Sequence, residues 1–290
     1  MQHLAGLARS VRTTLSAPDR GPTPAVAATL AVAPTMPPRD ADAEMTAPAT
    51  VLSSRRERLA AVPIYLVATF AGPDTDAALG RVAAAAGALQ AESGAVAVQL
   101  RLKDAGTDAR RALLARARGV LPIDTLLLVN DDLDAVFAPG GETLADGVHL
   151  GREDAAALSP RGVDATARTA AGLAAARARL GRGLLLGTST RTLAELRTVL
   201  AAGADHVGFG AIAASVTKQD TRPAHLVELV RCLEEFPRVP IFPLGGLTPQ
   251  NLGRVAAAGA RRAAVGAGIL AAPDPAAAAR ACLRALQGTG

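Results

Sequence analysis

The sequence predicts an α/β chain built as a (β/α)8 TIM barrel over residues 59–290, preceded by a low-complexity, disordered extension over residues 1–58. Three observations predict it. Eight short apolar runs alternate with Ala/Leu/Arg segments of helical spacing. Glycines such as Gly203 and Gly259 stand just past several of those segments, where a helix stops. The alternating part, about 230 residues, is the length of one such barrel. An open doubly wound sheet would want G-x-G-x-x-G after the first strand, and "ATFAGPDTD" has none.

The first fifty residues lack periodicity. "APDRGPTPAVAATLAVAPTMPPRDADAEMTAPAT" is rich in Pro, Ala and Thr and reads as disordered. The first 18 residues hold Arg9 and Arg12 and no acid. That fits an organellar transit peptide, but a plain extension in an Arg/Ala-biased chain is the favoured reading. The expected location is the cytoplasm, with organellar import left open. The charge run "RRER" (Arg55 to Arg58) reads as a solvated lead-in to the folded part.

The expected strands are "PIYLVATF" (63–70), "AVAVQLR" (95–101), "TLLLVN" (125–130), "DGVHL" (146–150), "GLLLGTS" (183–189), "DHVGFG" (205–210), "VPIFPLGG" (239–246) and "AAVGAGI" (263–269). Segments such as "DAALGRVAAAAGALQAE" and "TLAELRTVLAAG" supply the helices between them. "TLAEL" and "TPQN" read as helix starts.

Composition limits the function. Half the 290 residues are hydrophobic, yet there is no Trp, one Tyr (Tyr65) and five Phe. The core is therefore aliphatic, and no aromatic platform exists for single-stranded nucleic acid. The net charge is +5, and all but two of the 31 basic residues are arginines scattered among acids. That is a bias in residue choice, not a nucleic-acid footprint. Cys232 and Cys282 lie in helical patterns outside any metal-ligand spacing, as core residues of a reducing compartment. No apolar run is long enough to span a bilayer. The expected partners are small phosphorylated substrates, with no nucleic acid and no membrane; a homo-oligomer is compatible with the sequence.

In a barrel, function collects at the C-terminal ends of the strands. In "VQLRLKD" Gln99, Arg101 and Lys103 alternate, so they project to one side. The third strand ends in Asn130, Asp131 and Asp132, and the fourth runs into Glu153 and Asp154. The fifth ends in Thr188 and Ser189, and the loop after the sixth carries Ser215, Thr217 and Lys218. "GGLT" and "VGAGI" after strands seven and eight can present backbone N–H groups of Gly246, Ala267 and Gly268 to an anion. Both lysines of the chain, Lys103 and Lys218, thus fall at one end of the barrel. A compact ammonium fits a phosphate oxygen where a guanidinium would not. Asp131 and Asp154 are hard oxygen ligands suited to Mg2+ shared with phosphate. Two anion sites facing one mouth imply two phosphorylated substrates, or one with phosphate at both ends.

In this order the segments resemble thiamine-phosphate synthase, in the thiamine monophosphate synthase / thiazole tautomerase superfamily. "QLRLKD" is similar to the family's Q-L-R-x-K, "LLVNDDLD" to its N-D motif, "ADGVHLGRED" to its G-V-H-L-G-Q-E-D, and "GTST" to its G-V-S-T. "VGFGAIAASVTK" resembles V-G-F-G-P-V-F-P-T-x-T-K, and "PLGGLTPQN" resembles I-G-G-I-T-x-x-N. The resemblance covers about residues 63–285. It implies condensation of hydroxymethyl-aminopyrimidine diphosphate with hydroxyethylthiazole phosphate, giving thiamine phosphate and diphosphate, with Mg2+ as cofactor. It implies Asp131 and Asp154 on Mg2+, and Arg101, Lys103, Asn130 and Lys218 on the diphosphate. Gln99 and Ser189 would contact the pyrimidine or the diphosphate. Ser215, Thr217 and the backbone of Gly246, Ala267 and Gly268 would hold the thiazole phosphate. The residues with catalytic roles would be Lys218, Arg101, Lys103 and Ser189. Ala213, Ala214 and Ser215 depart from the family's Phe-Pro-Thr, Ala267 replaces a common Ser, and extra residues lie between strands three and four and after Asp154.

Two alternatives stand beside this reading. A thiazole tautomerase relative would share the barrel and the thiazole-phosphate pocket and could use His149 as acid/base, although a His inside "GVHLG" is more often structural. A barrel that binds thiamine precursors without turnover is the other. His206 and His225 read as ordinary surface or helix positions.

Overall fold

Each apolar run of the sequence becomes a strand of one parallel barrel. The structure is a computed structural model that describes residues 49–71, 75–163, 167–213 and 223–288. In chain order the elements are α1 (Ala49–Ala61), β1 (Ile64–Phe70), α2 (Thr75–Ser93), β2 (Ala97–Leu102), α3 (Thr107–Val120), β3 (Leu126–Asn130), β4 (Gly147–Leu150), α4 (Arg152–Ala157), α5 (Arg168–Leu180), β5 (Leu185–Thr190), α6 (Leu193–Ala201), β6 (His206–Gly210), α7 (Pro223–Glu235), β7 (Ile241–Leu244), α8 (Leu252–Ala257), β8 (Ala263–Val265), α9 (Ala267–Leu270) and α10 (Pro275–Gln287). All pairings are parallel, in the order β7-β6-β5-β4-β3-β2-β1-β8. β7 and β8 adjoin without a ladder, so the barrel is nearly closed.

Period-2 alternation divides the core in two. Outward residues such as Leu66, Val98, Leu127, Val148, Leu186 and Val207 pack beneath the helices. Inward residues form a smaller lumen cluster of Tyr65, Ala97, Leu126, Leu128, Leu185, Phe242 and Ala264. Leu59 and Val62, at the end of α1, enter that cluster from the N-terminal side and stopper the barrel floor. Both are 1 % exposed, and each contributes about 1.5–3 kcal/mol by burial.

The run Arg55 to Arg58 is only in part the solvated lead-in of its reading in sequence: Arg56 and Glu57 are exposed, but the arginines are paired. Arg55 Nε bonds Asp146 Oδ1 at 2.9 Å, and Arg56 Nε bonds Asp205 Oδ1 at 2.7 Å. Arg58 donates to the Asp124 carbonyl. The arginines therefore fasten α1 across the barrel floor. β8 ends sooner than its apolar run suggests: Gly266 turns the chain, and "AGIL" starts the short α9. Between β3 and β4 a 3-10 turn (Asp134–Val136) and the Phe137↔Thr143 bridge stand where a helix would. Thr192 caps α6 by accepting from Glu195 N at 3.2 Å.

Candidate active site

The strands end around a cavity of about 920 Å³ at the C-terminal mouth. It is lined by Gln99, Arg101, Asn130, Asp131, Asp154, Ser189, Gly246, Ala267 and Gly268, nine of the residues singled out in sequence. Lys103 is exposed at the end of β2 and does not line the cavity. The alternation past Arg101 breaks because β2 ends at Leu102 and a turn follows, with Asp104 at φ 51°. Ser215, Thr217 and Lys218 lie outside the described residues.

A chain of polar contacts fixes the acidic side. Gln99 Nε2 donates to Asn130 Oδ1, and Asn130 Nδ2 donates to Asp131 Oδ2. Asp131 Oδ1 accepts from Gly151 N at 2.8 Å. Asp131 is held at φ 63°, in the left-handed region that Asp and Asn tolerate better than most residues. Asp154, in the first turn of α4, reaches the same spot: a Cβ on Gly151 would stand 2.8 Å from Asp154 Oδ2 and 3.3 Å from Asp131 Oδ1. A glycine is needed there because the two carboxylates occupy that space. Burial, followed by the Asp154 charge, pushes the Asp131 carboxyl above its ordinary range, despite the Gly151 N–H and the Arg101 charge that pull it down.

The pair fits Mg2+. Two converging carboxylates whose mutual repulsion is unrelieved by any cation bonded to them among the described residues are the donor set that a hard cation and phosphate oxygens complete. No group of three or more His, Cys, Asp or Glu capable of holding a metal occurs among the described residues, so the rest of such an ion's shell would come from water and substrate oxygens.

The opposite wall is backbone. Gly245 and Gly246 follow β7 with φ 97° and 62°. Asn251 holds this turn, donating to Gly246 O at 2.8 Å and accepting from Thr248 N at 2.8 Å. Gly268 packs against it so closely that a Cβ would lie 2.2 Å from Leu247 O. The β7 and β8 loops thus meet backbone to backbone.

Sequence reasoning missed several lining residues. Arg152 and Arg191 add two guanidinium groups at the rim, with Arg152 Nη1 bonded to Glu195 Oε1 at 2.8 Å. Their places directly after β4 and β5 were the available signal. The larger miss is His206. It is not a surface or helix residue: it lies on β6, points into the lumen and is 1 % exposed. Its ring stands 5.5 Å from Tyr65 and 5.7 Å from His149 between centroids. His149 Nε2 meets Ser189 Oγ at 3.0 Å. Burial, with His206 nearby, lowers the His149 pKa to about 3, and burial with the Arg177 charge lowers that of His206 to about 3. Both imidazoles are therefore neutral at ordinary pH. His225, on α7, hydrogen-bonds Ala211 O through Nδ1 at 2.7 Å, steadying the end of β6.

Cys232 and Cys282 are fully buried, and burial raises their thiols to about 11 and 12. Neither lines the cavity. No helix among the described residues is long and apolar enough to cross a membrane.

Comparison with known proteins gives the family. The family model described as thiamine monophosphate synthase matches residues 65–269. The chain is 40 % identical over 222 residues to the thiamine-phosphate synthase of Bordetella bronchiseptica, covering 73 % of this chain and 89 % of that one. It is 38 % identical over 239 residues to that of Anaeromyxobacter dehalogenans, covering 80 % and 90 %. The match to the Gloeobacter violaceus protein is 39 % over 221 residues and spans only 56 % of that longer relative. Among solved structures, thiamine phosphate pyrophosphorylase from Pyrococcus furiosus shares the fold, with TM-score 0.58 and 23 % identity over 81 % of this chain and 98 % of that one. The match of the family model over most of the barrel, together with relatives of this identity and coverage, shows that the chain belongs to the thiamine monophosphate synthase family of transferases.

Proposed function

We propose that this barrel joins hydroxymethyl-aminopyrimidine diphosphate to hydroxyethylthiazole phosphate, releasing diphosphate and giving thiamine phosphate, in a Mg2+-dependent reaction. The observation that carries the reading is the Asp131–Asp154 pair beside Arg101, at the mouth of a cavity with room for two substrates. The bond between the pyrimidine methylene carbon and the diphosphate oxygen breaks, and the diphosphate leaves with the electron pair. The thiazole nitrogen then supplies the pair for the new C–N bond. No protein nucleophile is needed, so catalysis lies in positioning and in charge placed where the leaving group develops its own.

Each residue has a part in that scheme. Asp131 and Asp154 would hold Mg2+, which when bound supplies positive charge to the departing diphosphate. Arg101 and Asn130 would bind the same anion, and Lys103 and Lys218 are assigned to it by the family resemblance alone. Gln99 holds Asn130, and through it the Asp131 carboxylate. Ser189 sits where it can meet the pyrimidine or the diphosphate. The backbone of Gly246, Ala267 and Gly268, with Ser215 and Thr217, takes the thiazole phosphate.

The test supplies both precursors, with and without Mg2+, and detects thiamine phosphate and free diphosphate. Product that requires Mg2+ and disappears in Asp131→Ala and Lys218→Ala is expected. A folded protein that binds the thiazole phosphate yet forms no product would sink the reading.

A further inference from the structure

On three residues that line the cavity, four buried polar atoms have no partner among the described residues: Tyr65 Oη, His149 Nδ1, and both ring nitrogens of His206. Unpartnered buried polar atoms are rare in folded proteins, and four in one place need a physical reason. Their positions supply one. The ring of His206 fills the space that a side chain at 187 would take: a Cβ there would stand 2.2 Å from His206 Nε2, with His149 Nδ1 2.8 Å from the same point. These two nitrogens, on β4 and β6 with Gly187 of β5 between them, therefore lie close together without bonding each other directly. A single water bridging the two nitrogens would have His149 and His206 as polar partners, the fewest that an internal water takes.

The other nitrogen of His149 already has its partner, Ser189 Oγ, at 3.0 Å. In a neutral imidazole one nitrogen donates and the other accepts, and the bond made by one fixes the role of the other. We propose that His206 is a positioning residue: through one water bridging the two rings it keeps His149 Nδ1 an acceptor, so that His149 Nε2–H donates to Ser189 Oγ and the Ser189 hydroxyl hydrogen is free to donate into the cavity. His206 donates to the water, the water donates to His149 Nδ1, and His149 donates to Ser189. The opposite polarity would turn Ser189 inward and leave only lone pairs facing the substrate. Because the cavity is read as a diphosphate site, a donor is the arrangement that binds. The proposal rests on the synthase reading for that choice of direction.

The test reads the tautomer directly, apart from activity. Long-range 15N–1H spectra of the full chain, with and without inorganic diphosphate and Mg2+, should show His149 as the Nε2–H form. In His206→Leu, which removes the ring nitrogens at similar volume, His149 should shift toward the Nδ1–H form. His206→Gln restores an N–H donor at a similar reach and should restore the wild-type pattern. In the coupled assay His206→Leu should lower kcat/KM about tenfold, the worth of one hydrogen bond to a charged group. Adding the same change to Ser189→Ala should cost nothing further. His149 found as Nδ1–H in the wild type, or unchanged as Nε2–H in His206→Leu, would overturn the proposal. A wild-type protein that forms no thiamine phosphate would overturn the synthase reading instead, and leaves the tautomer measurement to decide the relay on its own.

Discussion

Asp146 at the foot of β4 and Asp205 at the foot of β6 make the same set of bonds two strands apart. Each carboxylate accepts from a backbone N–H of the preceding strand, Leu127 at 2.9 Å or Leu186 at 2.8 Å. Each also takes one arginine of α1, Arg55 or Arg56, and one from a barrel helix, Arg118 or Arg177. Removing one carboxylate would leave two arginines without their counter-charge and a strand N–H without its acceptor. Asp205→Ala should cost about 3 kcal/mol in urea unfolding, the low end for breaking a buried pair because the arginines keep some water. Arg56→Ala should cost under about 1 kcal/mol, since that side chain is 45 % exposed. Turnover by the folded fraction should not change, because these residues lie at the end of the barrel away from the cavity. A loss below about 1 kcal/mol for Asp205→Ala would count against the clamp.

The two lumen histidines predict a stability that depends on pH. Folded, each has its pKa near 3; unfolded, each returns to about 6.5. Between those values the unfolded chain binds protons that the folded chain refuses, so stability is complete above about pH 6.5 and falls as the pH drops below it. The slope approaches about 1.4 kcal/mol per pH unit for each histidine. His206→Leu should halve it between about pH 6 and 4.5. Asp146 adds a second limb at lower pH. Burial alone would raise its carboxyl, but the Arg118 charge, the Leu127 N–H and Arg55 together lower it. Its contribution is present above about pH 4 and is lost as acid protonates it. Equal slopes in the wild type and His206→Leu would refute the assignment of the first limb.

What the sequence could and could not show follows from the range of the interactions. The strands were legible because each is a short apolar run with its own period, and the strand-end motifs because barrel topology gathers them at one mouth. Arg55 and Arg56 were misread because their partners lie 91 and 149 residues away. His206 was misread for a different reason. Its alternation with Gly208 and Gly210 places it on the inward face, but only the glycine at 187 on the neighbouring strand makes space for the ring. Lys103 obeyed the alternation while the strand that carried it had already ended.

The contact between Gly268 and Leu247 predicts a selective defect. A Cβ on Gly268 would meet a backbone carbonyl at 2.2 Å, and neither partner is a flexible side-chain end. Gly268→Ala should therefore part the β7 and β8 loops at a cost of about 1–3 kcal/mol. It should raise KM for the thiazole phosphate more than for the pyrimidine diphosphate. Gly253→Ala is the control: nothing lies within 4 Å of its Cβ on α8, and alanine there should stabilise by about 0.5–1 kcal/mol. Equal KM changes for the two substrates in Gly268→Ala would contradict the placing of the thiazole phosphate at that wall.

Asp131 should be a residue whose loss helps the fold and ruins the reaction. Its carboxyl is pushed up by burial and by the Asp154 charge, so in the free protein the pair is a source of repulsion. Asparagine keeps the side-chain shape, tolerates φ 63°, and can still accept from Gly151 N, although its NH2 then faces Asn130 Nδ2, which offsets part of the gain. It carries no charge for Asp154 to repel. Asp131→Asn should therefore leave thermal stability unchanged or slightly higher, the trade expected of a site held under strain for function. Its turnover should fall by about a hundredfold or more, because one of the two carboxylates that would hold Mg2+ is gone. Raising the Mg2+ concentration should recover part of the loss if the defect is in metal affinity, and none of it in an Asp131→Asn/Asp154→Asn double variant. Wild-type turnover in Asp131→Asn would show that this carboxylate is not the metal's ligand. A marked drop in stability with activity retained would show that it serves the fold.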